Sequence, residues 1–508
     1  MTVARAWSAA LVGLDALPVV VEAALGSGLP GLTIVGLPDA AVRESRERIR
    51  SALRQIGLPL PGRNLVVNLA PADLPKSGTG FDLAVAMAIL AAAGDVPAEG
   101  LDGLTLVGEL ALDGTVRPVP GVLSIAEASR AHGRLRLVVA PENAAEAAAV
   151  PGVEVLPAPH LGAVVAHVAG RELLVPYAAP LFEPETLPDA PDLGEVRGQT
   201  LARRALEIAA AGGHNLLLSG PPGSGKTMLA RRLPGILPLL SPEEALETTR
   251  IWSAAGRLPT GSGLLRVRPF RSPHHGASAP ALSGGGSDPR PGELSLAHHG
   301  VLFLDELPEF RRDALEALRE PLEEGVVRVT RASGSRSFPA RFLLVAAMNP
   351  CPCGFRGDPR KACTCSEHDV SRYRRKISGP LLDRIDLHVE VPALPSSDLT
   401  TDVAPESSRN VRERVLRARA RQASRTGDGR LTNAALSPAR LRATASLHPE
   451  AATLLARAMD RLALSARAHQ RVVRVARTIA DLEGATATGP PHVAEALRYR
   501  SMASSRIP

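Results

Sequence analysis

Between Gly213 and Thr227 the chain reads Gly-His-Asn-Leu-Leu-Leu-Ser-Gly-Pro-Pro-Gly-Ser-Gly-Lys-Thr, residue types at a spacing that handles phosphate. Gly220, Pro221, Pro222, Gly223, Ser224 and Gly225 make a short loop whose glycines let backbone N–H groups approach an anion with no Cβ in the way. Lys226 is placed to reach the β and γ phosphates of a nucleotide, and the Thr227 hydroxyl to ligate Mg²⁺. The apolar Leu216 to Leu218 before the loop read as a buried strand. Lys226 onward, with Met228, Leu229 and Leu233, reads as a helix whose N-terminus adds partial positive charge. The expected ligand is ATP with Mg²⁺.

About eighty residues further on, Val301-Leu-Phe-Leu-Asp-Glu306 is an apolar strand ending in two carboxylates. Beside a phosphate loop, Asp305 would hold Mg²⁺ through water, and Glu306 would orient or deprotonate the attacking water. A third apolar run, Phe342 to Ala347, ends at Met348-Asn349-Pro350, where the Asn349 amide is expected beside the γ-phosphate as its sensor. Cys351, Cys353, Cys363 and Cys365, all four cysteines of the chain, follow at once. Thiolates at that density can enclose a tetrahedral Zn²⁺ or stand as four reduced thiols, and the sequence leaves both open. The pairs His274/His275 and His298/His299 have no cysteine or acid at ligand spacing and are expected in ordinary loop hydrogen bonds.

At 508 residues the chain exceeds one ordinary core, so two or three domains are expected. The formal charge is +7 and nearly all the cations are arginine; with a pI near 9.7, a polyanion partner is permitted. Asp15 interrupts the apolar run after Arg5, arguing against a signal peptide, and Leu83 to Ala93 is too short to cross a bilayer. A cytoplasmic protein without membrane attachment is expected. Residues 1–170 alternate apolar strands (19–23, 32–36, 65–69, 135–140) with helical patterns such as Ala40 to Gly57, and form a separate α/β domain. Prolines at 176, 180, 184, 188 and 191 mark 171–191 as a linker. Residues 192–397 are the nucleotide-binding core, with an irregular insertion over 241–300 and a helix over 309–324, and 398–508 are arginine-rich and helical. From Gly325 to Arg341 the alternation is that of a hairpin turning at Ser333-Gly334. It carries Arg328, Arg331, Arg336 and Arg341 and no acid: either a solvated face or a loop that projects into a channel and grips a phosphate backbone. The arginines between 409 and 421 leave the same two options for a helix there.

The segments Gly31-Leu-Thr-Ile-Val-Gly-Leu-Pro-Asp39, Asn68-Leu-Ala-Pro-Ala-Asp-Leu-Pro-Lys76 and Phe81-Asp-Leu-Ala84 resemble the Lon-protease-like domain that begins proteins of the ComM/YifB family. In Lon proteases the equivalent stretch supplies a serine nucleophile and a later helix its lysine partner. Gly80 and Ile125 stand near those positions here, so the resemblance implies a non-proteolytic scaffold or binding module. Together with the motifs above, Tyr373-Arg-Arg-Lys-Ile-Ser-Gly-Pro-Leu-Leu-Asp-Arg-Ile-Asp-Leu387 resembles the ComM/YifB branch of the AAA+ ATPases over nearly the whole chain. These are relatives of magnesium-chelatase motor subunits and minichromosome maintenance helicases.

The resemblance implies an α/β multidomain protein: a Lon-protease-like α/β domain, a central AAA+ P-loop α/β core and a C-terminal helical lid. It implies that Arg384 is an arginine finger reaching a neighbouring subunit's ATP, against a local salt bridge with Asp383 or Asp386. It also makes Arg467 a second sensor of the γ-phosphate, against a plain surface arginine. The implied assembly is a homo-oligomer, a hexamer, and the implied activity a DNA branch-migration helicase in recombination and natural transformation. With aromatics at 3%, contact with DNA would rest on backbone electrostatics rather than base stacking. Competing assignments are a magnesium-chelatase-type motor, a protein-remodelling ATPase and an ATP-dependent protease; the missing serine and lysine count against the last.

Overall fold

The computed structural model describes residues 3–178, 191–286, 289–331, 334–394, 405–462 and 464–500, the Arg331 side chain excepted. The chain forms two compact units, one of 1–184 with 241–266 and 286–291, the other of 185–240, 267–285 and 292–508. Most of the linker expected over 171–191 lies outside the described residues.

In the first unit, alternating apolar residues pair Val3–Val12 with Asp15–Gly26 as a long antiparallel hairpin, turned by Gly13 at φ 67°. Asn64–Ala70 adds to its edge antiparallel, and Gly31–Val35 pairs parallel beyond it. Helix Asp82–Ala93 packs on the hairpin and is buried nearly all round, which is why its sequence shows no polar face. Its Asp82 is buried and accepts from the Arg48 guanidinium at 2.7 and 3.1 Å; burial pushes the carboxyl up to about 6 against that pull. A parallel sheet of Leu104–Leu106, Arg136–Val139 and Glu154–Pro157 adds to the unit's strands.

Where the sequence suggests an irregular 241–300, a helix covers Pro242–Ala254. Its start is written in Ser241-Pro-Glu-Glu244: Ser241 Oγ accepts the Glu244 N–H, and Glu244 accepts the Ser241 N–H. Ser253 on this helix donates to the buried Glu146 at 2.6 Å, which ties the segment to the first unit.

The second unit is built on a fully parallel five-stranded sheet, in the spatial order Phe270–Arg271, Val301–Leu304, Leu343–Met348, Leu216–Ser219, Leu387–Glu390. Its central strands are apolar throughout because helices cover the sheet. Leu216–Ser219, the earliest of the five in the chain, lies between Leu343–Met348 and Leu387–Glu390: the chain leaves it toward Phe270–Arg271 at one edge and later crosses from Leu343–Met348 past it to Leu387–Glu390, so the strand order reverses beside it, where a crevice at the C-terminal ends is expected. The expected helix over 309–324 is broken into Arg312–Glu316 and Arg319–Glu324, because the Pro321 ring cannot follow Ala317 in one continuous helix. The hairpin forms as Val326–Arg331 against Gly334–Pro339.

Toward its end the chain runs through helices Ser408–Thr426, Pro438–Thr444, Pro449–Leu462, Ala466–Glu483 and Pro490–Arg498. Of the arginines of the first, Arg409 and Arg417 are exposed, whereas others are engaged within the fold. Arg414 pairs with Glu207 and Glu406, Arg419 donates to Ala210 O, and Arg421 donates to Asp481 O. Arg425 and the fully buried Arg477 both clamp Asp481, at 2.7 and 2.9 Å, and Asn433 donates to it at 2.8 Å. Removing one partner of a buried ion cluster leaves charge without compensation. Arg477→Met is expected to destabilise the second unit by about 3 kcal/mol, read as a lower denaturation midpoint. Arg409→Met, at a largely exposed position, should cost less than about 0.5 kcal/mol.

Candidate nucleotide site

Ladder register brings the chemistry together. Ser219 is level with Met348, and Leu304 with Ala346, so the phosphate loop, Asp305 and Asn349 leave three adjacent strands at the same edge of the sheet. Gly220 passes so close to the Val391 carbonyl that a Cβ would collide with it, and Gly225, at φ 91°, is the left-handed residue from which helix Lys226–Ile236 starts. The loop presents its N–H groups at a helix N-terminus. Gln199, which the sequence did not single out, braces it by donating to Ser224 O at 3.2 Å and to Pro392 O at 2.7 Å.

Lys226 is buried, its Nζ donating to Gly220 O (2.7 Å), Pro221 O (2.9 Å) and Asn349 Oδ1 (3.2 Å). Burial lowers its pKa, while the Asp305 and Glu306 carboxylates hold the proton on. Thr227 Oγ1 donates to Asp305 Oδ2 at 2.7 Å, which puts the hydroxyl and carboxylate expected to share a Mg²⁺ in direct contact. Glu306 sits at φ 53°, uncommon for a residue with a side chain and found where function constrains backbone. Its Oε2 meets His275 Nδ1 at 3.2 Å. The role of His275 is invisible in sequence, since it lies outside the strand that ends in its partner and the chain between them runs through two short helices and that core strand.

The remaining candidates are placed individually. Arg384 pairs with Glu323, not with Asp383 or Asp386, and also donates to Pro380 O. Arg467 is exposed in the first turn of helix Ala466–Glu483. On the hairpin, Arg328 is neutralised by Glu320 and by Glu324 at 2.7 Å, acids of the preceding helix that the hairpin's own sequence does not reveal. Arg336 is half-buried, Arg341 is exposed with its stem against Gly325, and the Arg331 side chain lies outside the described residues.

Cys351, Cys353, Cys363 and Cys365 gather with their sulfurs all within 4.8 Å of one another. Cys351 Sγ is 3.4 Å from Cys353 Sγ and 3.6 Å from Cys363 Sγ. The edge of a tetrahedron with Zn–S bonds of about 2.3 Å is about 3.8 Å, so the donor set fits Zn²⁺. In the first unit, Gly80 and Ile125 line one small cavity with Val107, Val119, Ser77, Thr79 and Arg290, so the two positions named in the sequence face a shared space of mixed polarity.

Below the sheet, His214 bridges Asp386 at 3.3 Å and Thr478 at 2.8 Å, joining the phosphate-loop strand to the segment bearing Arg384 and to the C-terminal helices. Asn215 adds to the joint, donating to Arg384 O and accepting from Leu344 N.

Three family models match the chain: "Magnesium chelatase, subunit ChlI" over residues 192–399, "Subunit ChlI of Mg-chelatase" over 21–143 and "Magnesium chelatase, subunit ChlI C-terminal" over 405–500. An uncharacterised protein YifB of Salmonella typhimurium is 46% identical over 99% of this chain and 98% of its own. The competence protein ComM of Haemophilus influenzae is 45% identical over 99% and 98%. A magnesium-chelatase 38 kDa subunit of Rhodobacter capsulatus is 28% identical over 58% of this chain and 82% of its own. Among the described residues no helix is long and apolar enough to cross a membrane.

Burial raises the Asp386 carboxyl, but His214, Arg471 and Arg500 outweigh it and bring it down to about 2 from the ordinary 3.8. A carboxyl depressed in the folded state stabilises above its unfolded pKa and loses that contribution as pH falls through its folded one. About 2 kcal/mol should therefore disappear between about pH 4 and pH 2. Acid denaturation of wild type and Asp386→Asn would show this as a limb that flattens in the variant.

Proposed function

Because this chain belongs to the ComM/YifB family of magnesium-chelatase-like AAA+ ATPases, we propose that it is a Mg²⁺-dependent DNA motor. In this assignment it is a hexameric branch-migration helicase acting in recombination of incoming single strands. The observation that carries its ATPase half is the convergence of Lys226, Thr227, Asp305, Glu306 and Asn349 at one sheet edge. The likeness to a competence protein motivates the DNA half.

Residues 192–397 are the AAA+ core in this proposal, 398–508 the lid, 171–191 a linker, and 1–170 a Lon-like domain without proteolytic chemistry. The loop from Gly220 to Thr227 binds the phosphates through backbone N–H groups. Lys226 exchanges its carbonyl partners for β and γ oxygens. Thr227, and Asp305 through water, would hold Mg²⁺, which would supply positive charge to offset the charge that develops on the phosphates. Glu306 draws a proton from the attacking water; His275 holds its carboxylate until then. Asn349 senses the γ-phosphate between Lys226 and the strand that carries it. Arg384 leaves Glu323 to reach a neighbouring subunit's γ-phosphate, and Arg467 reports on it when the lid closes. Arg331, Arg336 and Arg341 hold the DNA backbone, with Arg328 available only once its two acids release it.

Lys226→Ala and Glu306→Gln should each reduce ATP hydrolysis by about 100-fold or more, with Glu306→Gln still binding ATP. Mixing Lys226→Ala with Arg384→Ala should restore activity, because each supplies what the other lacks across a subunit boundary. Branched and single-stranded DNA should stimulate hydrolysis less as salt rises, and Arg336→Ala with Arg341→Ala should shallow the salt dependence of binding by about one unit of slope per arginine. Hydrolysis that DNA neither binds nor stimulates would sink the DNA assignment and leave a protein or tetrapyrrole-pathway partner.

A further inference from the structure

The four cysteines are not remote from the nucleotide site: Cys351 follows the γ-phosphate candidate Asn349 by two residues on one continuous loop. That loop turns at Gly354, whose N–H donates to Cys351 O at 3.0 Å and whose φ is 86°. At this turn the backbone lies against the phosphate loop. A Cβ on Gly354 would stand 2.8 Å from Pro222 Cδ and 3.8 Å from Asn349 Cγ. Asn349 Oδ1 in turn accepts from Lys226 Nζ at 3.2 Å. Cys351 is fully buried beneath this contact, while Cys353, Cys363 and Cys365 are partly exposed.

Four thiols closing the ends of a loop whose other side touches Pro222 and Asn349 form one mechanical unit. We infer that Cys351, Cys353, Cys363 and Cys365 bind a structural Zn²⁺ whose occupancy positions Asn349 against Lys226, so that the metal sets the protein's preference for ATP over ADP. Zinc draws four thiolates to about 2.3 Å, and the loop then has one conformation instead of many. With the ends fixed, the Gly354 turn stays on Pro222 and the Asn349 amide stays where a γ-phosphate arrives. Without the metal the phosphate loop keeps its own support from Gln199 and Val391, so binding of the α and β phosphates persists. The inference rests on the ATPase assignment above and extends it to a second, separate metal.

The test uses the full-length protein, its zinc content measured by elemental analysis, and titrations with fluorescent ATP and ADP analogues and with the unlabelled nucleotides in competition. Each is run before and after removal of metal by a chelator under reducing conditions, and again after zinc alone is restored. The expected result is about one zinc per chain. On its removal, affinity for ATP should fall about tenfold, the scale of a lost charge-assisted contact, with affinity for ADP nearly constant and recovery on zinc addition. Gly354→Ala should keep its zinc yet show the same selective loss, because the added methyl pushes the turn off Pro222. Asn349→Ala should show it with zinc bound and with no further loss on chelation.

Absence of zinc from the purified protein, with none taken up on addition, would overturn the metal site. Zinc that can be removed with no change in either affinity would overturn the coupling. An equal loss for ATP and ADP would mean that the metal only holds the fold, and would also overturn it. Failure of the zinc-loaded protein to bind either nucleotide would instead refute the ATPase assignment.

Discussion

Parallel pairing among Leu216–Ser219, Leu343–Met348 and Val301–Leu304 is the constraint on which the second unit depends. Both faces of these strands are buried, so their register rests on the packing of each layer: a one-residue shift would exchange the side chains between layers that hold different partners. The three strands therefore end together, and the segments that continue them, a glycine-rich loop, a pair of carboxylates and an amide, share one edge. Thr227 against Asp305 and Lys226 against Asn349 are consequences of register before they are consequences of any local preference.

That edge is held from beneath as well as within. His214 and Asn215, entering the strand Leu216–Ser219, reach Asp386, Thr478, Arg384 and Leu344, so a single dipeptide ties the phosphate-loop strand to its neighbours and to the C-terminal helices. The buried Asp481 with Arg425, Arg477 and Asn433 continues the connection. Buried polar groups joined in this way specify one arrangement, since any other leaves charge unmatched.

The first unit is organised by a different interaction, the burial of helix Asp82–Ala93 on its hairpin, with Arg48 answering the charge that Asp82 brings in. The cavity that Gly80 and Ile125 share is lined also by Ser77, Thr79 and Arg290, with no lysine among its lining residues.

Much of this was legible in the sequence. The Gly-Pro-Pro-Gly-Ser-Gly-Lys-Thr run, the Asp-Glu pair ending an apolar strand and the asparagine ending another are local signals, because loop, strand and chemistry are contiguous in the chain. The hairpin and the helix over Ala40–Gln55 were likewise carried by alternation and by one apolar face. Helix Pro242–Ala254 had its signal in a capping box that a count of glycines and prolines conceals. Only the tertiary structure decided pairing across distance: His275 with Glu306, Arg384 with Glu323, Arg328 with Glu320 and Glu324, and arginines of 408–426 with acids and carbonyls of other helices. Charge in a sequence carries a sign but no partner. An arginine looks the same whether it faces solvent, a phosphate or a buried aspartate, and burial beside a particular acid is settled only when the sheet and helices bring remote segments into contact.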